Sequence, residues 1–355
     1  MKDAEHTQGP GRRLVALLAV VAFVIAFSFM LGRGCTRTPA ESQTARVDTS
    51  QTVPPSVVSD TTTLVEIQNV HYRIDADLAL EIHRLSGEML PQGRSYIYFD
   101  DPSGYVINVR SAEVGMRPEA LRVLLNRYVF NYEGAPITID EITIEDSLLV
   151  QTGTLHDMLG ISFEMKATLS VTPEGLIRLK RRSMEALGIS VKGVMKFLDL
   201  ELDELVDLSG ADGVRAQNND LLLDPQRVLP PPAMRGRVTH VRLTSTEIVQ
   251  TIAPTPDAPS IRPAPEPPAP EAENYMFFHG GTIRFGDLVL LGSELQLIDA
   301  DPDDPFDFFQ DNYAPQLMAG YSRATPSLGQ MTFMPDFADV GAEVEAEEKL
   351  PVASP

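Results

Sequence analysis

The chain has 355 residues, a formal net charge of −21 from 29 basic and 50 acidic side chains, one cysteine and no tryptophan. That acidity, with no large basic block, argues against nucleic acid as a partner, because such binding rests on neutralising phosphates with Lys and Arg. The lone Cys35 leaves no intrachain disulfide to help the fold, and the chain after residue 60 is long enough for one large domain or two small ones.

Leu14 to Leu31 is an uncharged apolar run behind Arg12 and Arg13. A bilayer-spanning helix needs about 17–25 such residues. Residues 1–35 therefore read as a short stub and a transmembrane helix. A cleaved signal peptide has a shorter apolar region, about 7–15 residues, ending in small side chains. A lipoprotein site at Cys35 fits poorly with Arg33 two residues before it. Lys2, Arg12 and Arg13 flank one end of the run and Arg33, Arg37 and Arg46 the other, so the positive-inside rule does not fix orientation. The common single-pass arrangement exports the bulk of the chain, here to the periplasm. Residues 36–62, rich in Thr, Ser, Gln and Pro, read as a disordered stalk.

Residues 63–252 are expected to form the main domain, of α+β class: a long antiparallel twisted sheet with two or three packed amphipathic helices. Pro118, a good first helical position, opens one helix, with Leu121, Leu124, Leu125 and Tyr128 on one face. Ile161, Phe163, Met165, Ala167, Leu169 and Val171 alternate with polar residues, the pattern of a half-buried strand. Thr172-Pro173-Glu174-Gly175 is a turn signal, and the chain returns through Leu176 to Met184 as a long hairpin. The return strand carries Arg178, Lys180, Arg181 and Arg182. These read as a solvated strand edge whose charge opposes edge-to-edge pairing. The sharper alternative is a lipid-headgroup contact through Arg178, Lys180 and Arg182. A second helix from about Val191 to Leu208 aligns Val191, Val194, Met195, Leu198, Leu202 and Leu205.

Residues 253–274 are proline-rich and read as a semi-rigid linker or a long excursion over a surface. Residues 275–337 form a β-rich unit. About 60 residues make a marginal independent core, so its strands are expected to complete the main sheet. A third helix is considered after Asp304 and Pro305, from Phe306 to Met318, although Pro315 argues against its continuity. Residues 338–355 read as an acidic disordered tail. Four stretches share a pattern of strand, tight polar turn and strand: Leu64–Ile82, Ile137–Gly153, Gly236–Ile252 and Thr282–Asp299.

Catalytic signatures are absent: no Gly-rich phosphate loop, no paired zinc-type cysteines and no HExxH, and the histidines lack metal-ligand spacing. No cofactor is expected. Asp299, Asp301 and Asp303 match the first three ligand spacings of a calcium loop, but Asp304 and Gln310 stand where Gly and Glu are needed. Weak divalent-cation binding is one reading of this cluster. Capping of a helix begun by Pro305 is the other.

From about Met116 to Ile252 the order is Pro118-Glu119-Ala120-Leu121, the long hairpin, Val191-Lys192-Gly193-Val194-Met195, then Leu221-Leu222-Leu223-Asp224-Pro225 and a strand opening Gly236-Arg237-Val238. This order resembles the tubular lipid-binding proteins of bacterial envelopes, the LmeA-like and AsmA-like type. The resemblance implies a long sheet wrapped around a helix, with acyl chains in the groove. The leading expectation is thus a non-catalytic, membrane-anchored envelope protein that binds a lipid or another apolar ligand. Its groove would be lined by Phe163, Met165 and Leu169 on the strand and Val194, Met195 and Leu198 on the helix. Alternatives are an assembly scaffold that binds other envelope proteins, and a carboxylate-based hydrolase. A lipid binder needs an enclosed apolar cavity, a scaffold a filled core with an exposed apolar patch, and a hydrolase converging carboxylates in a cleft.

Overall fold

Buried side chains alternate with more exposed ones along parts of the longer strands in the computed structural model, which describes residues 61–156, 160–187 and 207–340. Among these residues the strands begin with β1 (Thr63–Arg73), β2 (Ala79–Pro91), β3 (Ile97–Tyr98) and β4 (Tyr105–Met116). Then come β5 (Ile137–Glu145), β6 (Leu148–Leu155), β7 (Ile161–Val171), β8 (Ile177–Leu187), β9 (Val214–Gln217) and β10 (Asp220–Leu223). The chain continues through β11 (Ala233–Arg235), β12 (Arg237–Leu243), β13 (Ile248–Ala253), β14 (Tyr275–Phe285) and β15 (Leu288–Asp299). It ends with β16 (Phe306–Phe309), β17 (Tyr321–Ala324) and β18 (Gln330–Met334).

Two sheets result. The larger runs β12-β13-β4-β2-β1-β14-β15-β18-β17, with β11 beside β4, β16 beside β1 and β3 beside β14. The smaller runs β5-β6-β7-β8-β10-β9. The four stretches of repeated pattern are the hairpins β1–β2, β5–β6, β12–β13 and β14–β15. β14 lies antiparallel to β1, pairing Leu64 with His279 and Gln68 with Tyr275, so the strands after the proline-rich segment belong to the larger sheet. One continuous apolar core joins both sheets, with Leu85, Met89, Phe99 and Phe278 from the larger and Leu149, Phe163, Met165 and Leu179 from the smaller.

The α+β expectation is overturned: the described chain is mostly strand, and one helix among these residues reaches seven residues. That helix is α1 (Pro118–Leu124), which passes directly into a π turn at Leu125–Val129. It buries Ala120 and Leu124, and the turn buries Leu125 and Val129, while Tyr128 is exposed and donates to Asp75 Oδ2 at 2.7 Å. Two shorter pieces are α2 (Pro225–Val228) and α3 (Ala314–Ala319). The helix considered over Phe306–Met318 is replaced by β16, a 3-10 turn at Gln310–Asn312, and α3. Buried Phe306 and Phe308 sit two apart and pair in parallel with Val70 and Tyr72 of β1, so strand period and long-range pairing override the apparent helical pattern. The helix expected over 191–208 falls almost wholly outside the described residues, as does the apolar run 14–31. Among the described residues no helix is long and apolar enough to cross a membrane.

The proline-rich segment is pinned to the sheet. Gln296, fully buried on β15, accepts from Ala269 N at 2.8 Å and donates to Ala269 O at 3.0 Å. Ala269 joins Tyr275, Phe277 and Ile298 in a second small core on that face.

Candidate functional site

A cavity of about 230 Å³ lies where the two sheets meet. Its wall takes Leu80, Val114 and Met116 from β2 and β4, Val238 from β12 and Ile252 from β13. Leu176 comes from the β7–β8 hairpin, and Leu229 and Met234 from the chain around β11. Glu174, Asp224, Gln250 and Arg237 add polar groups.

Local rules place these side chains. In the β7–β8 turn Gly175 N donates to Thr172 O at 2.9 Å, and Gly175 adopts a φ of +89°, a left-handed conformation that glycine takes without strain. The turn projects Pro173, Glu174, Gly175 and Leu176 toward β12. Asp224 caps α2 by accepting from Gln226 N at 3.1 Å, and Pro225 fills the first helical position. Gln226 Nε2 then donates to Gly236 O, which fixes the start of β12. Arg237 Nη1 donates to Pro173 O at 3.1 Å. Arg237 Nε is buried without an acceptor, and no carboxylate among the described residues pairs with this guanidinium. A Cβ on Gly175 would collide with Arg237 Cγ, so the bare backbone there makes room for the arginine stem.

A second cavity, about 50 Å³, shares Leu80, Leu229 and Met234 with the first and reaches Tyr72, Phe99 and Phe278. A third, about 30 Å³, is lined by Phe163, Met165, Leu179 and Met184, with the buried and unpartnered Nε2 of Gln151.

The residues singled out from sequence are placed as follows. Phe163 and Met165 are buried in the core of the smaller sheet and border the 30 Å³ cavity, while Leu169 is half-buried against the same core. Val194, Met195 and Leu198 lie outside the described residues. Arg178, Lys180 and Arg182 alternate along β8, whose neighbours are β7 and β10, so the patch is on an interior strand and not on an edge. Arg178 pairs with Asp220 at 3.5 Å, Arg182 Nε donates to Thr168 Oγ1 at 3.1 Å, and Lys180 is exposed.

The acidic cluster is rearranged relative to the calcium-loop spacing. Asp299 converges with Asp304 and Asp336, their carboxylate oxygens all within 4.8 Å of one another, an arrangement able to share a proton or hold a hard cation. Asp301 instead accepts from Asp303 N at 3.2 Å in an exposed turn. Asn274 braces the group, donating to Asp299 Oδ2 at 3.3 Å and to Asp304 O. Asp336 Oδ1 accepts from Asp307 N at 2.7 Å. These three carboxylates line none of the three cavities.

Burial, reinforced by neighbouring carboxylates, pushes Asp299 up to about 6 and Asp336 up to about 7. An unfolded aspartate titrates near about 3.9. The folded state therefore holds these protons more tightly, and the stability they contribute is full below about pH 4 and lost as pH rises through 6 and 7. The melting temperature should fall between pH 5 and pH 8, and Asp336→Asn, neutral throughout, should flatten that fall. Equal slopes for the two proteins in thermal scans would remove the cluster as the cause. Burial also pushes Glu81 up, but its hydrogen bond from His71 and the Arg117 charge outweigh that and hold it below its ordinary value, so it acts at more acid pH.

Arg237 and Asp336 carried no sequence signal. The first was read only as part of a closing strand and the second fell near the end of the β-rich unit. No family model, curated protein or solved structure matches the chain.

Proposed function

We propose that the folded body binds an amphiphile at the junction of its two sheets, without catalysis, and that residues 14–31 tether it to a membrane with the bulk of the chain in the periplasm. The observation that carries this reading is the 230 Å³ cavity, apolar along Leu80, Val114, Met116, Leu176 and Val238, with Glu174, Asp224 and Arg237 also in its wall. Pockets for drug-sized ligands run about 300–1,000 Å³. The volume therefore suits a short apolar segment with a polar end and not a whole two-chain lipid. The hydrolase reading finds no support in the cleft, where Asp224 is committed to capping α2.

The test is native mass spectrometry of the full-length protein extracted from its own membranes. The expected result is a bound small amphiphile, displaced by an apolar fluorescent probe. Absence of any adduct together with absence of probe uptake would overturn the reading.

A scaffold role has one specific observation behind it. Leu288, Val289 and Leu291, at the turn end of the β14–β15 hairpin, are 37, 53 and 81% exposed. Such patches mark contact surfaces. A co-purifying protein with no small-molecule adduct, in the same experiment, would favour this second reading.

A further inference from the structure

We propose that Arg237 is the anion-binding residue of the cleft, and that the amphiphile it selects carries a carboxylate or phosphate at the end of its apolar segment. This rests on the cleft being the ligand site proposed above.

Arg237 differs from the paired arginines of the larger sheet and its border. Arg84 and Arg242 both pair with Glu113, at 3.2 and 2.8 Å. Arg117 pairs with Glu81 at 2.6 Å, and Arg73 with Asp307 at 2.5 Å. In so acidic a chain an arginine has carboxylates close to hand. Among the described residues Arg237 pairs with none, although Glu174 and Asp224 share the cavity wall with it; Arg110, Arg235 and Arg323 of the same sheet also pair with none, but they are exposed whereas Arg237 is half-buried. Both acids are engaged within their own turns. Asp224 accepts from Gln226 N, and Glu174 is held by Thr172 and lies in the field of Arg178 and Arg215.

The guanidinium of Arg237 is left with unused donors. Among the described residues its one hydrogen bond runs from Nη1 to the neutral carbonyl of Pro173. Nε is cut off from solvent and meets no acceptor among the described residues. Buried donors are nearly always satisfied, by protein, water or ligand. A guanidinium presents a planar fork that matches the paired oxygens of carboxylate or phosphate, and the resulting charge-assisted bonds are stronger than neutral ones.

The side chain is also preorganised. The β7–β8 turn holds the arginine in place, with Pro173 O gripping Nη1 and Gly175 leaving space for Cγ. The charge is thereby fixed beside Leu176 and Val238 at little further ordering cost. A purely structural clasp between the sheets would use the same contacts, so the test must read ligand charge.

The test uses the full-length protein in mild detergent and four probes of equal chain length: dodecanoate, dodecyl phosphate, dodecanol and dodecyltrimethylammonium. Each is scored by displacement of an apolar fluorophore. One or both anions should bind at least about tenfold tighter than the alcohol, as charge-assisted bonding requires, and their order separates carboxylate from phosphate recognition. Arg237→Gln should bring anion binding down to the level of the alcohol. Arg237→Lys, which keeps the charge and loses the fork, should retain part of the preference. Equal binding of anion and alcohol by the native protein, or a preference surviving Arg237→Gln, overturns the proposal and leaves the cleft reading standing. Strongest binding by the cation also overturns it and assigns the preference to Glu174 and Asp224. If no chain binds, the cleft reading fails and this proposal fails with it.

Discussion

Replacing Phe99 with alanine should cost about 3–5 kcal/mol, the usual range for a fully buried phenyl group. Phe99 is 2% exposed and lies between early and late parts of the chain. Its ring centroid is 4.8 Å from that of Phe285, 5.6 Å from Phe278, 6.0 Å from Tyr313 and 6.1 Å from Phe308. Its backbone is tied to the same elements, with Phe99 N donating to Arg284 O at 2.9 Å and Gln310 Nε2 donating to Phe99 O at 2.7 Å. Deleting the ring removes apolar contacts to β14, β16 and α3 together. Native domains hold only about 5–15 kcal/mol in total, so the variant should unfold at much lower denaturant, in one transition if the late strands share the cooperative unit. A loss under about 1 kcal/mol in urea titrations would show that the aromatic cluster does not join the C-terminal strands to the rest.

What could be read from the sequence was local. The alternation from Ile161 to Val171 identifies β7, Thr172–Gly175 identifies the turn, and the hairpin closes between residues close in the chain. Pro118 likewise marks the start of α1, since its fixed φ suits the first helical position. The misread elements depend on distant partners. Phe306–Phe309 becomes a strand because β1 offers it an edge more than 230 residues earlier in the chain. The proline-rich segment is extended, as its composition implies, but composition says nothing of Gln296, whose side chain fixes Ala269 from 27 residues away. The cleft escapes for the same reason. Arg237 and Pro173 are 64 positions apart, and neither residue type in isolation suggests a site. Asp299 was singled out by its spacing to Asp301 and Asp303, whereas in the fold its companions are Asp304 and Asp336, the latter arriving after β18.

A pair of tryptophan substitutions should separate filled core from open cleft. Ala167 on β7 is fully buried, opposite Leu149 on one neighbouring strand and Arg181 on the other. The cavity bordered by Phe163 and Met165 of the same strand is about 30 Å³. An indole cannot enter it without displacing Phe163 or Leu149, so Ala167→Trp should destabilise by about 1–3 kcal/mol or more. Leu176 is half-buried beside the 230 Å³ cavity, and Leu176→Trp can turn its ring into existing space. Its cost should stay under about 1 kcal/mol, in the range of substitutions that neither open a void nor force one closed. The functional effects should run the other way. Leu176→Trp occupies the volume a ligand would use and should abolish uptake of the apolar probe. Ala167→Trp, at temperatures where it remains folded, should leave uptake close to native. Comparable destabilisation by both would mean that the cleft is as tightly closed as the core. Native uptake by Leu176→Trp would move the ligand site away from the junction of the sheets.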